Sequence, residues 1–144
     1  MASCAPPTAP LYHDYEQAPE LVRQRGEAPS EEDMARLASA LEEAGWTVKR
    51  SDLPGVVATE PRTVRRWGLY RIDVSLEAAP VGERHVRIFV HPFRRFITGG
   101  RSKLFAMDRG LRRTLLPPLD SAFVNYGFEP LGSVRQREER ALPR

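Results

Sequence analysis

The sequence has a single cysteine, Cys4, among its 144 residues. One thiol cannot form an internal disulfide, so the cysteine content neither requires nor excludes an oxidising compartment. Long apolar runs are missing too, because charged or polar residues interrupt every hydrophobic stretch after a handful of positions. We therefore expect no transmembrane helix, since a helical span needs about 20 consecutive apolar residues.

Residue patterns that mark catalytic or metal sites are missing as well. The segment TGGRSK at 98–103 lacks the spacing of a phosphate-binding Walker loop. No serine stands in a Gly-x-Ser-x-Gly elbow, and no cysteine or serine is placed with a histidine and a carboxylate as a nucleophile would require. His85 and His91 lie six positions apart on a predicted strand, about 20 Å, which is too far to share one metal ion. We expect a non-enzymatic protein without catalytic residues, metal or cofactor.

Charge is distributed unevenly along the chain. Residues 1–45 carry nine acidic and three basic residues (net −6), whereas residues 46–144 carry ten acidic and nineteen basic residues (net +9), which together give the overall +3. Hydrophobic residues make up 41% of the chain, too many for a wholly disordered protein. The length leaves room for one domain of roughly 100 residues.

The sequence predicts three consecutive regions. Residues 1–29 are rich in proline and show no apolar periodicity, which is typical of a flexible tether. Residues 30–132 are expected to form the domain, and residues 133–144 a charged tail. The domain begins with a helix: Ser30 is the predicted N-cap, Asp33 completes a variant of the capping box, and Gly45 stands where the helix ends.

In the rest of the domain, the apolar residues follow the spacing of strands first and then that of a helix. Residues 46–51 and 55–60 predict a hairpin, and residues 66–77 and 84–91 alternate apolar and polar side chains as half-buried antiparallel strands do. Helical spacing returns from Leu104 onward, and we expect Pro117 and Pro118 to stop that helix or to restart it. The predicted fold is an α+β two-layer sandwich. A four-stranded antiparallel sheet is covered on one face by the N-terminal helix and by one or two C-terminal helices.

The residues before Cys4 resemble the end of a bacterial lipobox. Met-Ala-Ser-Cys places the small residues Ala2 and Ser3 directly before Cys4. In a lipoprotein, the thiol at this position carries an acyl chain. The proline-rich segment that follows would hold a domain away from a bilayer. The resemblance implies lipidation at Cys4, with membrane lipid as a partner, and the alternative is an inert terminal cysteine.

A second resemblance covers the domain. The segment LASALEEAGWTVKRSDLPGVVATEP, followed by two longer strands and a closing helix, resembles the helix-grip domains of small bacterial outer-membrane lipoproteins, such as the BamC-type component of the β-barrel assembly machinery. It implies a scaffold or binding role in the cell envelope, with an envelope protein as a possible partner.

A basic tract runs from Arg84 to Arg113, with nine positive residues and one acid, Asp108. Its guanidinium groups are suited to oxyanions, and neighbouring phenylalanines could stack on bases. The alternatives are nucleic acid, anionic lipid and an ordinary solvated surface. The candidate anion-binding or partner-binding residues are Arg87, Arg94, Arg95, Arg101 and Lys103. Trp67 is compatible with an exposed binding aromatic, although we expect it to pack in the core.

The sequence therefore favours a lipid-anchored, non-enzymatic envelope module that acts as a scaffold or binding domain at a membrane surface. The alternative is a cytoplasmic module that binds nucleic acid through the Arg-rich segment 84–113.

Overall fold

The computed structural model of the protein describes residues 11–49 and 53–131. Cys4 and the predicted tail at 133–144 lie outside the described residues. The strands are β1 (Tyr12–Gln17), β2 (Val48–Lys49), β3 (Val57–Thr59), β4 (Arg62–Arg66), β5 (Tyr70–Val81), β6 (His85–Phe96), β7 (Arg101–Lys103) and β8 (Phe128–Pro130). The helices are α1 (Glu31–Glu43) and α2 (Arg109–Val124), and a short 3-10 helix spans Pro19–Leu21.

Within the described residues, the eight strands form one antiparallel sheet in the order β2-β3-β5-β6-β1-β8, with β4 also beside β5 and β7 beside β6. The centre is the long hairpin β5–β6, with twelve residues in each strand. The expected four-stranded sheet is wrong, because each of these long strands has room for two shorter neighbours in succession. β3 and β4 pair with β5, while β1 and β7 pair with β6.

The N-terminal tether expected over residues 1–29 is wrong from Tyr12 onward. β1 lies between β6 and β8, and Tyr15 is fully buried, with its ring 4.5 Å from that of Phe123. The Tyr15 hydroxyl donates to Asp120 on α2 at 2.6 Å. Farther along, the Arg23 N–H donates to the Glu83 carbonyl at 3.1 Å. The domain thus begins well before Ser30.

The predicted first helix is confirmed. The Ser30 hydroxyl accepts from the Asp33 N–H at 3.1 Å, and the Asp33 carboxylate accepts from the Ser30 N–H at 2.9 Å. These bonds satisfy backbone donors that a helix start leaves free. Gly45 follows the helix with φ of 95°, a conformation in which a side chain would be strained.

The second helix continues through Pro117 and Pro118, so the predicted stop or restart at this point is wrong. Both prolines are exposed, whereas Leu115, Leu116 and Leu119 around them are buried. Each proline lacks an N–H, so a carbonyl of the preceding turn loses its helical hydrogen-bond donor. Burial of the leucine stripe against the sheet stabilises the helix in spite of this loss.

The core lies between the helices and one face of the sheet. Even-numbered side chains of the central hairpin point into it and join the buried leucines of both helices. In β5 these are Ile72, Val74, Leu76 and Ala78, and in β6 they are Val86, Ile88 and Val90. The predicted alternation is confirmed for both strands, but the strand predicted over 66–77 begins only at Tyr70, because residues 67–69 form the turn between β4 and β5. The odd-numbered side chains form the opposite face, which carries most of the charged groups.

β6 is longer than predicted, because it continues through Pro92 to Phe96. The N–H groups of Val90 and Phe96 donate to Leu11 and Gly100 on the same flank of the strand. By the alternation of an antiparallel ladder, the missing N–H of Pro92 falls on that flank, between the start of β1 and the end of β7. Leu104, directly after β7, donates its N–H to the Pro92 carbonyl at 3.0 Å, so at most one ladder hydrogen bond is lost there and the strand runs on.

Candidate anion-binding site at the hairpin tips

Four arginines occupy directly opposite positions on four adjacent strands. Arg66 on β4 pairs with Arg71 on β5, Arg71 pairs with Arg95 on β6, and Arg95 pairs with Arg101 on β7. We call these four residues the arginine row. With about 4.8 Å between neighbouring strands, the row extends about 14 Å across the sheet. Like charges in directly opposite positions destabilise a sheet, so the row is unfavourable for folding alone.

Asp73 is the carboxylate that faces the row. Its side chain is largely buried, and the Thr63 hydroxyl donates to Oδ1 at 2.6 Å. The Nε atoms of Arg71 and Arg95 lie 3.2 Å and 3.9 Å from Oδ2. Neither Arg66 nor Arg101 forms an ion pair within the described part of the chain. The four positive charges thus face one negative charge.

A cavity of about 620 Å³ contains the whole row. None of the residues that line it is acidic, and they combine arginine with aromatic and small residues: Arg66, Trp67, Gly68, Tyr70, Arg71, Arg95, Phe96, Ile97, Gly99 and Arg101. The Arg101 guanidinium lies 4.1 Å from the centre of the Phe93 ring, which is a cation–π contact. Such a surface is suited to anionic groups.

Large apolar side chains project beyond the row. Trp67, Leu69 and Ile97 are 55%, 76% and 73% exposed. They belong to the β4–β5 turn and to the β6–β7 turn, and the Ile97 N–H donates to the Leu69 carbonyl at 3.1 Å. The Trp67 ring stacks on Tyr70 at 6.3 Å. Leu69 and Ile97 lie two residues beyond Arg71 and Arg95, about 7 Å farther along the strands. We call residues 67–69 and 97–100 the hairpin tips.

Three of the predicted binding residues come together here. Arg95 and Arg101 belong to the row, and Lys103 is the cross-strand partner of Phe93, two positions along β7 on the same face. The three basic residues of the tract that lie in α2 (Arg109, Arg112 and Arg113) belong to the other layer. The tract from Arg84 to Arg113 is therefore divided between surfaces rather than forming one.

The other two predicted residues lie elsewhere. Arg87 forms a bidentate pair with Asp14 at 2.8 and 3.1 Å and covers the Tyr12 ring at 4.3 Å. The hydrogen bond with Asp14 raises the pKa of Arg87. Arg94 points to the opposite face, where its guanidinium lies 4.8 Å from the centre of the Tyr70 ring. Neither lines the cavity.

Sequence reasoning missed Arg66 and Arg71, and the expectation that Trp67 packs in the core is wrong. A signal was present in the segment RRWGLYR at 65–71, where arginines flank a short Gly-containing turn. Residues on either side of a tight turn become cross-strand partners. The pairing with β6 and β7 was not readable, because it requires the register of three hairpins.

The described ranges hold no cluster of three or more histidine, cysteine or acidic side chains that could bind a metal ion. In those same ranges, neither helix has the length and apolar character needed to cross a membrane. Comparisons of the chain with protein-family models, with curated proteins and with solved structures found no match.

Proposed function

We propose that the protein is a non-enzymatic binding domain that docks on an anionic membrane surface through its hairpin tips. One observation carries the proposal: exposed apolar side chains project from two joined turns, with a row of arginines directly behind them. In such a docking the apolar side chains enter the bilayer interface, and the guanidinium groups bind lipid phosphates.

The dimensions of the tips support this function. Interfacial segments bury their apolar side about 5–10 Å deep, and Leu69 and Ile97 extend about 7 Å beyond the row. Tryptophan is favoured at the level of lipid headgroups, where the exposed Trp67 would lie. Burial of each large apolar side chain contributes about 1.5–3 kcal/mol, and each arginine near an anionic surface about 1 kcal/mol.

The alternative function, nucleic-acid binding, fits the tips less well. Arginines and Phe93 would suit a phosphate backbone with stacked bases. Leu69 and Ile97, however, offer no ring for stacking and no hydrogen-bond donor for a base edge. Their exposure favours the membrane over the nucleic acid.

Acylation of Cys4 is part of the proposal, and the direction of β1 is compatible with it. Leu11 accepts a hydrogen bond from the Val90 N–H, and β1 runs antiparallel to β6, so the chain enters the sheet from the side of the tips. Cys4 precedes Leu11 by seven positions, which span at most about 25 Å. Ile97 lies seven positions beyond Val90, about 23 Å. An acyl chain on Cys4 and the tips can therefore reach one bilayer, in the cell envelope.

Vesicle binding of the full chain without an acyl group tests the function. Trp46 is buried and Trp67 is exposed, so a blue shift of tryptophan fluorescence reports Trp67 entering the bilayer. We expect this shift with vesicles that contain phosphatidylglycerol. The double variant Leu69→Ser/Ile97→Ser should bind at least about tenfold more weakly.

Val81→Ser is the matched control, because Val81 is an exposed apolar residue at the opposite end of the same hairpin. It should bind as the unmodified protein does. Equal binding by the tip variant, or no binding of the unmodified protein to anionic vesicles, would contradict the proposal. Tight binding to duplex DNA at about 50 mM salt would favour the alternative.

A further inference from the structure

We propose that the arginine row binds a lipid whose single headgroup carries two separate phosphate groups. The inference rests on the proposed membrane function and names the lipid chemistry that its site would select. It follows from the number, spacing and partners of the four guanidinium groups.

The row divides into a centre that is partly neutralised and two ends that face no carboxylate among the described residues. Arg71 and Arg95 share the Asp73 carboxylate, whereas Arg66 and Arg101 face no carboxylate within the described residues. The two ends belong to strands three interstrand steps apart, about 14 Å between their Cα atoms. A phosphate binds one guanidinium in a bidentate manner, or a neighbouring pair of them, so a phosphate bound at one end leaves the other end without a counter-charge. Two phosphate groups fill both ends, one at each.

The net charge of the row and the volume of the cavity also favour a ligand with two phosphate groups. Four arginines and one aspartate leave three uncompensated positive charges. Two phosphate groups carry between about two and four negative charges, depending on whether they are diesters or monoesters. The cavity of about 620 Å³ falls in the range that holds an organic ligand of drug size and contains all four arginines. A lone phosphate would leave most of it empty.

The neighbouring residues fix the spacing. The Thr63 hydroxyl holds the Asp73 carboxylate, which in turn holds the central guanidinium groups of Arg71 and Arg95. The Phe93 ring holds the Arg101 guanidinium by a cation–π contact. Asp73 is thus a positioning residue, which holds the side chains of the two central arginines in place when the phosphate groups bind at the ends of the row.

A pair of lipids that differ by one phosphate tests the inference. One vesicle set contains a glucosamine-disaccharide lipid phosphorylated at both ends, and the other contains the same lipid with one phosphate. Phosphatidylglycerol is added to make the total negative charge equal. We expect the full chain to bind the doubly phosphorylated set about tenfold more tightly. Arg66→Gln and Arg101→Gln should each abolish this preference, while weakening binding to pure phosphatidylglycerol vesicles only by the roughly fivefold that one arginine contributes at an anionic surface.

Arg84→Gln is the charge-matched control, because Arg84 is exposed at the opposite end of the central hairpin. It should keep the preference. Affinity that follows total charge alone, or a preference that survives in both row variants, would overturn the inference.

The acyl-free doubly phosphorylated disaccharide separates this inference from the proposed function. Calorimetry should show it binding the unmodified protein and not the Arg66→Gln variant. If it binds in this way while no vesicle is bound, the membrane function is wrong and the two-phosphate site is supported without the bilayer. If vesicles bind and the disaccharide does not, the membrane function stands and the two-phosphate site is overturned.

Discussion

Arg71 and Arg95 lie directly opposite each other on the central strands, and both face the carboxylate of Asp73. Arg66 and Arg101 extend this arrangement to the flanking strands without a second carboxylate among the described residues. A sheet gains nothing from cations aligned without a counter-charge, so removal of Arg66, which has no ion pair among the described residues, should stabilise it. The row is therefore a place where stability and binding are expected to change in opposite directions.

Arg66→Gln is the simplest test of this opposition. Arg66 has no ion pair in the described chain, so the variant removes repulsion without breaking an attractive contact. We expect the free energy of unfolding in urea to rise by about 0.2–1 kcal/mol while binding to anionic vesicles weakens. Arg113→Gln, on the exposed side of α2, should change the free energy of unfolding by less than about 0.5 kcal/mol. A clear loss of stability in Arg66→Gln would show that the row stabilises the fold.

Asp73→Asn should have the reverse effect on stability. The substitution leaves a group that can still accept from Thr63 but removes the one charge that Arg71 and Arg95 share. We expect the free energy of unfolding to fall by about 1–3 kcal/mol. Part of this loss is repulsion within the row, and about 1 M salt shortens the Debye length to about 3 Å. The difference between the variant and the unmodified protein should therefore shrink at high salt, and a salt-independent difference would assign the loss to hydrogen bonding alone.

The first strand gives a prediction about where the domain begins. Tyr15 is buried, stacks on Phe123 and donates to Asp120, so β1 contributes to the core. Burial, together with the charge and the hydrogen bond of Asp120, raises the pKa of Tyr15. Removal of residues 1–10 leaves in place the pairing of β1 with β6 and the contacts of Tyr15 with Phe123 and Asp120, so the protein should still melt in one cooperative transition.

Removal of residues 1–17 should prevent folding, because the edge of β6 and the Phe123 ring lose the strand that covers them. Circular dichroism melting curves of the two truncated proteins distinguish the outcomes. A cooperative transition in the shorter protein would show that β1 is dispensable, as a tether would be.

The same strand shows what the sequence could not reveal. β1 reads YHDYEQ, and its core-facing residues are His13, Tyr15 and Gln17, which are polar enough to look like part of a linker. Two of them, His13 and Tyr15, are accommodated because Asp120, 105 positions after Tyr15, hydrogen-bonds to both side chains. A strand whose burial depends on a distant hydrogen-bond partner has no local signal. The helix at 31–43, by contrast, was predictable because its capping box and apolar stripe are local.

The candidate site was predictable only in part for a related reason. Arg95, Arg101 and Lys103 were recognisable as a cluster of charge in the sequence. Their convergence with Arg66 and Arg71 depends on β6 continuing past Pro92, and a proline in a strand is ordinarily evidence of its end. Here the flank of β6 that lacks a donor at Pro92 falls between two short neighbours, β1 and β7. That gap is a property of the assembled sheet and is invisible in the segment alone.

Asp108, the N-cap of α2, leads to a prediction about pH. The Leu111 N–H donates to its carboxylate at 2.7 Å, and this hydrogen bond, together with the nearby Arg65, holds the pKa of Asp108 below its usual range. A carboxyl group with a lowered pKa in the folded state stabilises that state above its unfolded pKa of about 3.9. The contribution is lost as the pH falls through the lower, folded value.

Asp108→Ala should therefore lower the free energy of unfolding by about 1 kcal/mol at pH 7. The difference from the unmodified protein should shrink below about pH 4, where the carboxylate that distinguishes the two proteins becomes protonated. Asp108→Asn is the matched control: the amide oxygen can still accept from Leu111, so most of the stability at pH 7 should remain, without titration in the acid range. Urea unfolding curves from pH 7 to pH 2.5 provide the measurement. A difference between Asp108→Ala and the unmodified protein that stays constant over this range would show that the charge of Asp108 does not contribute.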